Sequence, residues 1–253
     1  MKNFIFAASA ALLTASPALS QSFQFTHEGT SFSYAYNNYD DGGSASGQDF
    51  TYVMNATSRY DLGNNFGFQF TLGYNEEDDN GGFFGSRAFF DVNPFYKIGD
   101  GEIGVFYTVM QASGFSGDGS QFGVTGNQRY GDFRVEGYAS RYDDNGTDIN
   151  AVGLAAGYDI NDAFGVYFAQ RRDGFTSGRY NALSTIGASY ELGGINSAPP
   201  ITFGIEYSVF HNDGTSISDS NWDQVSFIAT YEFGGDIDTS FFRGVRNRDF
   251  FFD

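Results

Sequence analysis

The segment Val225-Ser226-Phe227-Ile228-Ala229-Thr230-Tyr231-Glu232-Phe233 alternates apolar and polar with a single lapse. Val225, Phe227, Ala229, Tyr231 and Phe233 fall on one side; Gln224, Ser226, Thr230 and Glu232 fall on the other, and Ile228 is the misfit. A period of two is a β-strand with one greasy wall and one wet wall. One such strand fits any half-exposed antiparallel sheet. Working outward, the same alternation recurs about a dozen times, in segments of roughly ten residues separated by turn residues, which is how a transmembrane β-barrel reads in sequence.

The clearest repeat is Phe66, Phe68, Phe70, Leu72 and Tyr74 against Gly67, Gln69, Thr71 and Gly73. A slip of one residue there would put five large apolar groups in the wrong solvent. Others run through Tyr52, Met54 and Ala56; Ala88, Phe90 and Val92; Ile103, Val105, Tyr107 and Val109; Phe122 and Val124; Phe133 and Val135; Val152, Leu154 and Tyr158; Val166 and Phe168; Ile186 and Ala188; and Phe203, Ile205 and Tyr207. A first strand starts at Phe23 or Phe25 and passes a bulge near Gly29 into Phe32, Tyr34 and Tyr36. Every second connection is longer and mostly acidic, near residues 41, 78, 116, 144, 174 and 216. Those between are mostly short, such as Ile98-Gly99-Asp100-Gly101 with its Asp-Gly pair. The expectation is an all-β, antiparallel, up-and-down transmembrane barrel of about 12 strands over residues 21–233.

Composition agrees. In 253 residues there are 34 Gly, 30 Phe and 17 Tyr but only 4 Pro, and no window of 18 apolar residues is needed when lipid meets every second side chain. Residues 1–20 read as a secretory signal: Lys2, an apolar run from Phe4 to Leu13, then small residues up to a cleavage point before Gln21. Without Lys2 the remaining chain carries 12 basic and 31 acidic residues, 12 − 31 = −19. Such a balance excludes a nucleic-acid binder, because phosphate contacts need clustered Lys and Arg. No cysteine is present, so disulfide frameworks and thiolate metal sites are excluded too. Residues 234–253 carry Arg243, Arg246, Arg248 and Phe250-Phe251-Phe252 and could be an extension, an extra hairpin or a lumen plug.

The ending Tyr231-x-Phe233 resembles the closing strand of Gram-negative outer-membrane porins. That resemblance implies an outer-membrane location, lipid and lipopolysaccharide as surroundings, and recognition of the Val225, Phe227, Tyr231 and Phe233 strand by the assembly machinery. It also implies a channel for passive diffusion of small hydrophilic solutes or ions, with no cofactor and a possible homo-oligomer. The chain departs from the family in the 20 residues after Phe233.

With the aromatic face outward, the inner wall inherits Arg59, Arg87, Asp91, Arg129, Arg134, Glu136, Arg171, Arg179, Glu206 and Glu232 as candidate pore-lining groups. Opposed Arg and carboxylate rows set ion selectivity where a bore is narrow; in a closed barrel they would be paired filling. The acidic connections are solvated surface or, through Asp78, Asp79, Asp143 and Asp144, oxygen ligands for divalent ions bridging to lipopolysaccharide. Catalysis has little support: His27 and His211 are the only histidines, and neither a nucleophile elbow nor a His-Glu-x-x-His motif occurs. A non-channel structural or surface-interaction barrel is the alternative to the channel.

Overall fold

A computed structural model describes residues 25–40, 49–79, 82–113, 118–144, 147–175, 180–192, 201–212 and 222–234. Residues 1–20, nearly all of 234–253, Phe23 and Arg179 lie outside them. Twelve strands follow in chain order: β1 (Thr26–Asp40), β2 (Asp49–Gly63), β3 (Phe66–Asp79), β4 (Gly82–Ile98), β5 (Gly101–Ser113), β6 (Gly119–Tyr130), β7 (Phe133–Asp144), β8 (Thr147–Asn161), β9 (Phe164–Phe175), β10 (Tyr180–Glu191), β11 (Ile201–Asn212) and β12 (Trp222–Phe233). Each pairs antiparallel with its sequence neighbours, and β1 pairs with β12, so the sheet closes without an edge. The expected count, topology and closure are those observed.

The alternation decides which way each side chain points. Phe32, Tyr107, Phe122, Leu154, Phe168, Ile186, Phe203 and Phe227 stand out from the barrel and are among its most exposed side chains. A row of this kind around a closed sheet is a lipid-facing surface, since water would not tolerate it and the closed ladder leaves no open edge. The shortest strands have 12 residues. At about 3.3 Å per residue and a tilt near 40°, such a strand rises about 30 Å, the thickness of a hydrocarbon core. Ile228 has a use as well: it turns inward over Gly204, its partner on β11.

One tight turn departs in detail from expectation. In Ile98-Gly99-Asp100-Gly101 the strands pair through Ile98 and Gly101, so the central residues are Gly99 and Asp100, and Gly99 carries φ +60. Gly131 does the same, at φ +61, in the turn closed by Tyr130 and Phe133. A glycine at the first central position supplies the positive φ that matches the twist of a hairpin. The acidic stretch near residue 78 is not a loop throughout: β3 continues to Asp79 and β4 begins at Gly82. The bulge anticipated near Gly29 is there, between His27 and Gly29, with Glu28 as the extra residue.

Not every ring faces lipid. Phe89, Phe95, Phe106, Tyr138 and Tyr167 point inward, and each lies over a glycine directly opposite it on the next strand: Gly73, Gly67, Gly123, Gly153 and Gly187. An ideal Cβ on any of these glycines would run into the ring, so the glycine is a steric requirement of the inward aromatic. Phe106 and Tyr138 join Ala151, Ala155, Ala169, Leu183 and Phe210 in an apolar cluster spread over β5 and β7–β11. A second cluster holds Phe89, Met110, Tyr142 and Ile149. The inner wall is therefore apolar filling over part of its circumference. Elsewhere it is polar.

Candidate functional site

The polar part of the inner wall runs along β10, β11, β12 and β1. Thr185, Ser208, Gln224, Ser226, Thr230 and Asn37 are buried there. They bond among themselves: Thr185 Oγ1 and Ser208 Oγ are 2.8 Å apart, and Gln224 Nε2 donates to Ser226 Oγ at 2.6 Å. On the other side, Asp91 Oδ2 accepts from Thr108 Oγ1 at 2.6 Å, and both residues are fully buried. At mid-height, then, the inward side chains of β4, β5, β11 and β12 are out of water's reach.

At the end of the barrel carrying the tight turns, the interior opens into a vestibule of about 580 Å³, bounded by β6–β12 and the turns at Asp132 and Asp162. Its wall is hollow because several inward positions carry almost no side chain: Gly157, Gly165, Ser189 and Gly204. Six carboxylates (Asp132, Asp159, Asp162, Glu191, Glu206 and Glu232) and two guanidinium groups (Arg129 and Arg134) line it, a formal 2 − 6 = −4. Arg129 sits at the rim and donates to Asp159 at 2.9 Å. Glu206 forms the inner end, 6% exposed. One of its oxygens accepts from the Tyr167 hydroxyl.

Tyr167, Gly187 and Glu206 stand in one row across β9, β10 and β11, since Gly187 is opposite both of the others. Strands lie about 4.8 Å apart, so a side chain on β9 reaches β11 only by lying flat over β10. Gly187 permits that. The phenol thereby holds a carboxylate two strands away.

Opposite the vestibule, the same end of the barrel is closed by charges. Arg59 donates to Glu28 at 2.6 Å and to Glu102 at 2.5 Å, while its guanidinium lies 3.9 Å from the centre of the Phe95 ring. Lys97 bonds Glu28 and, at 2.8 Å, Asp61. The bulge in β1 is what turns Glu28 inward to meet Arg59 and Lys97.

The candidate pore-lining residues therefore separate into groups rather than one ring of opposed rows. Arg129, Arg134, Glu206 and Glu232 share the vestibule. Arg59 anchors the network across from it, Asp91 bonds Thr108, and Arg171 pairs with Asp173 at 2.8 Å. Arg87 and Glu136 lie on the inner wall away from the vestibule lining. Glu28, Asp61, Lys97, Glu102 and Tyr167 were not anticipated. Parity extended to the strand ends marks four of them as inward; Glu28 needed the bulge. Among the ligand candidates of the acidic connections, Asp143 is exposed. His27 Nε2 is 2.9 Å from Thr30 Oγ1, which is 2.9 Å from Ser58 Oγ.

Comparison with protein-family models and with curated proteins finds no match. Solved structures do match. The NanC porin superposes with a TM-score of 0.58 at 10% identity, over 79% of this chain and 98% of that one. An outer-membrane channel from Pseudomonas putida F1 gives 0.56 at 10% identity, over 85% and 98%. The chain has the fold of an outer-membrane β-barrel. The same outer-membrane fold is shared by the translocator domain of the autotransporter NalP from Neisseria meningitidis, with a TM-score of 0.50 at 14% identity over 89% of this chain and 96% of that one.

Proposed function

We propose that this outer-membrane barrel is a narrow, porin-like channel for passive diffusion of ions and small hydrophilic solutes. The observation that carries the reading is the charged vestibule, which leads at Glu206 and Thr230 into the polar wall of Ser208, Ser226 and Gln224. Hydroxyls and amides along one side give a hydrated ion partners at successive steps, and the weak, multiple contacts that conduction needs. The porin and channel among the structural neighbours support this at the level of fold. Passage requires side-chain movement at the waist, where Asp91, Thr108 and Ser226 are fully buried.

That same burial favours a second reading, a structural barrel whose lumen stays shut. Purified protein in a planar bilayer separates the two. Discrete conductance steps that grow with salt concentration are expected of the channel; a silent bilayer containing folded protein would leave the structural barrel. A substitution in the vestibule wall provides a control: Gly204→Trp fills the vestibule and is expected to cut the step size by at least half.

A further inference from the structure

We infer that the vestibule is a cation-selecting site, with Glu206 as the group that sorts charge and Tyr167 as the residue that positions it. The inference rests on the channel reading and names the class of solute that the channel takes: monovalent cations and small amine-bearing molecules.

The argument begins with Glu206 itself. Its side chain is 94% removed from solvent, as 6% is exposed, yet no Lys, Arg or His of the described residues lies within ion-pair distance. The other deep charges for which an ion pair is seen have a partner on the protein: Arg59 has Glu28 and Glu102, and Arg171 has Asp173. A buried carboxylate without a cation is costly, because the desolvation is not offset by an opposite charge. In Glu206 one oxygen is tied down by the Tyr167 hydroxyl, and the residue borders an open cavity. The missing counter-charge has a way in.

The surroundings favour a mobile cation as that counter-charge. Carboxylates outnumber guanidinium groups six to two on the vestibule lining, and one guanidinium, Arg129, is engaged with Asp159. A concave wall of one sign concentrates the field and raises the local concentration of opposite ions. The vestibule also has the room, at about 580 Å³, for a partly hydrated ion or a small amine.

Tyr167 makes the site more than an acidic patch. Its ring lies over Gly187 and its hydroxyl donates to one oxygen of Glu206, which leaves the other oxygen of that carboxylate toward the cavity it lines. A donor to one carboxylate oxygen orients the group and leaves the other oxygen to coordinate.

The test is the reversal potential of the full-length protein in a planar bilayer under a tenfold gradient of potassium chloride. The expected result is a potassium preference in the native protein that falls at least twofold in Glu206→Gln. Glu206→Asp, which keeps the charge, is expected to retain it. Glu76→Gln removes one carboxylate from the exposed side of β3 and is expected to change nothing. Spermidine, added to each compartment in turn, is expected to block the native channel from one side and to block Glu206→Gln at least threefold less well. Channels whose reversal potential is the same in the native protein and Glu206→Gln would overturn the inference while leaving the channel intact; equal loss in Glu76→Gln would do so too, by showing an effect of overall charge. Absence of channels in every variant would overturn the channel reading and this inference with it.

Discussion

Arg59 shows how a charge is kept on the inner wall. Its side chain is 11% exposed, and it is held by two carboxylates and by the face of Phe95. Removing it leaves Glu102 without its cation, since Lys97 is engaged with Glu28 and Asp61. Breaking one side of a largely buried ion pair costs more than the pair contributes, because the stranded charge stays desolvated. Arg59→Ala is expected to lower unfolding free energy by about 2–3 kcal/mol, near the low side for buried pairs because the network lies close to the rim. Urea titration of protein refolded in lipid vesicles, read through the single tryptophan Trp222, measures it. Replacing Arg59 by Lys is expected to recover only part, because a single ammonium cannot serve two carboxylates and a ring face as the planar guanidinium does.

At the scale of strands, the ring-over-glycine pairs are the feature with the sharpest consequences. Gly153→Ala pushes a methyl into the Tyr138 ring, and with nothing softer nearby the ring must leave its place. The expected cost is about 1–3 kcal/mol, in the range of overpacking. In a Tyr138→Ala background the same glycine substitution is expected to be nearly free, giving a coupling above about 1 kcal/mol in a double-mutant cycle. Additive losses would show that the pair does not interact. Much of this layer was legible in the sequence: alternation alone placed Phe66, Phe68 and Phe70 outward and Gly67 and Gly73 inward. What it did not give was the inward ring. Phe89 and Phe95 sit at inward parity beside Asp91 and Asn93, yet a phenylalanine there reads as an error until the opposite glycine is known, and register across strands is a tertiary fact. For the same reason the charged residues were found by face but not by grouping. Parity says that Arg59 and Arg171 point inward; only the closed sheet says that the first meets Glu28 through a bulge and the second meets its own neighbour Asp173.

For the molecule as a whole, the lipid-facing surface and the closed ladder determine where it can live. Leu154 and Ile186 are 67% and 61% exposed, and each stands well inside its strand. Ile186→Arg is expected to cost about 2–4 kcal/mol, the range for a charge near the bilayer midplane, and to halve or worse the yield of folded barrel in vesicles, scored by its resistance to heat before gel electrophoresis. An equal yield for the arginine variant would contradict a lipid contact at that site. Of the whole, closure and strand number followed from counting alternating segments, whereas the size of the vestibule did not, because a hollow depends on which small residues on four neighbouring strands come level with one another. The five rings that face a directly opposite glycine also share one property of connectivity. Each lies on its glycine within a hairpin: β3 with β4 twice, β5 with β6, β7 with β8 and β9 with β10. None of the five spans the seam between β1 and β12, where the inward pairs Ser31 with Glu232, Ser33 with Thr230 and Asn37 with Ser226 are polar and Ala35 faces Ile228. Each of these strand pairs can thus seat its own interior ring before it meets the next pair. The barrel is suited to growing two strands at a time around its circumference, and the seam, having no such interlock, is the natural place for the circle to be joined last.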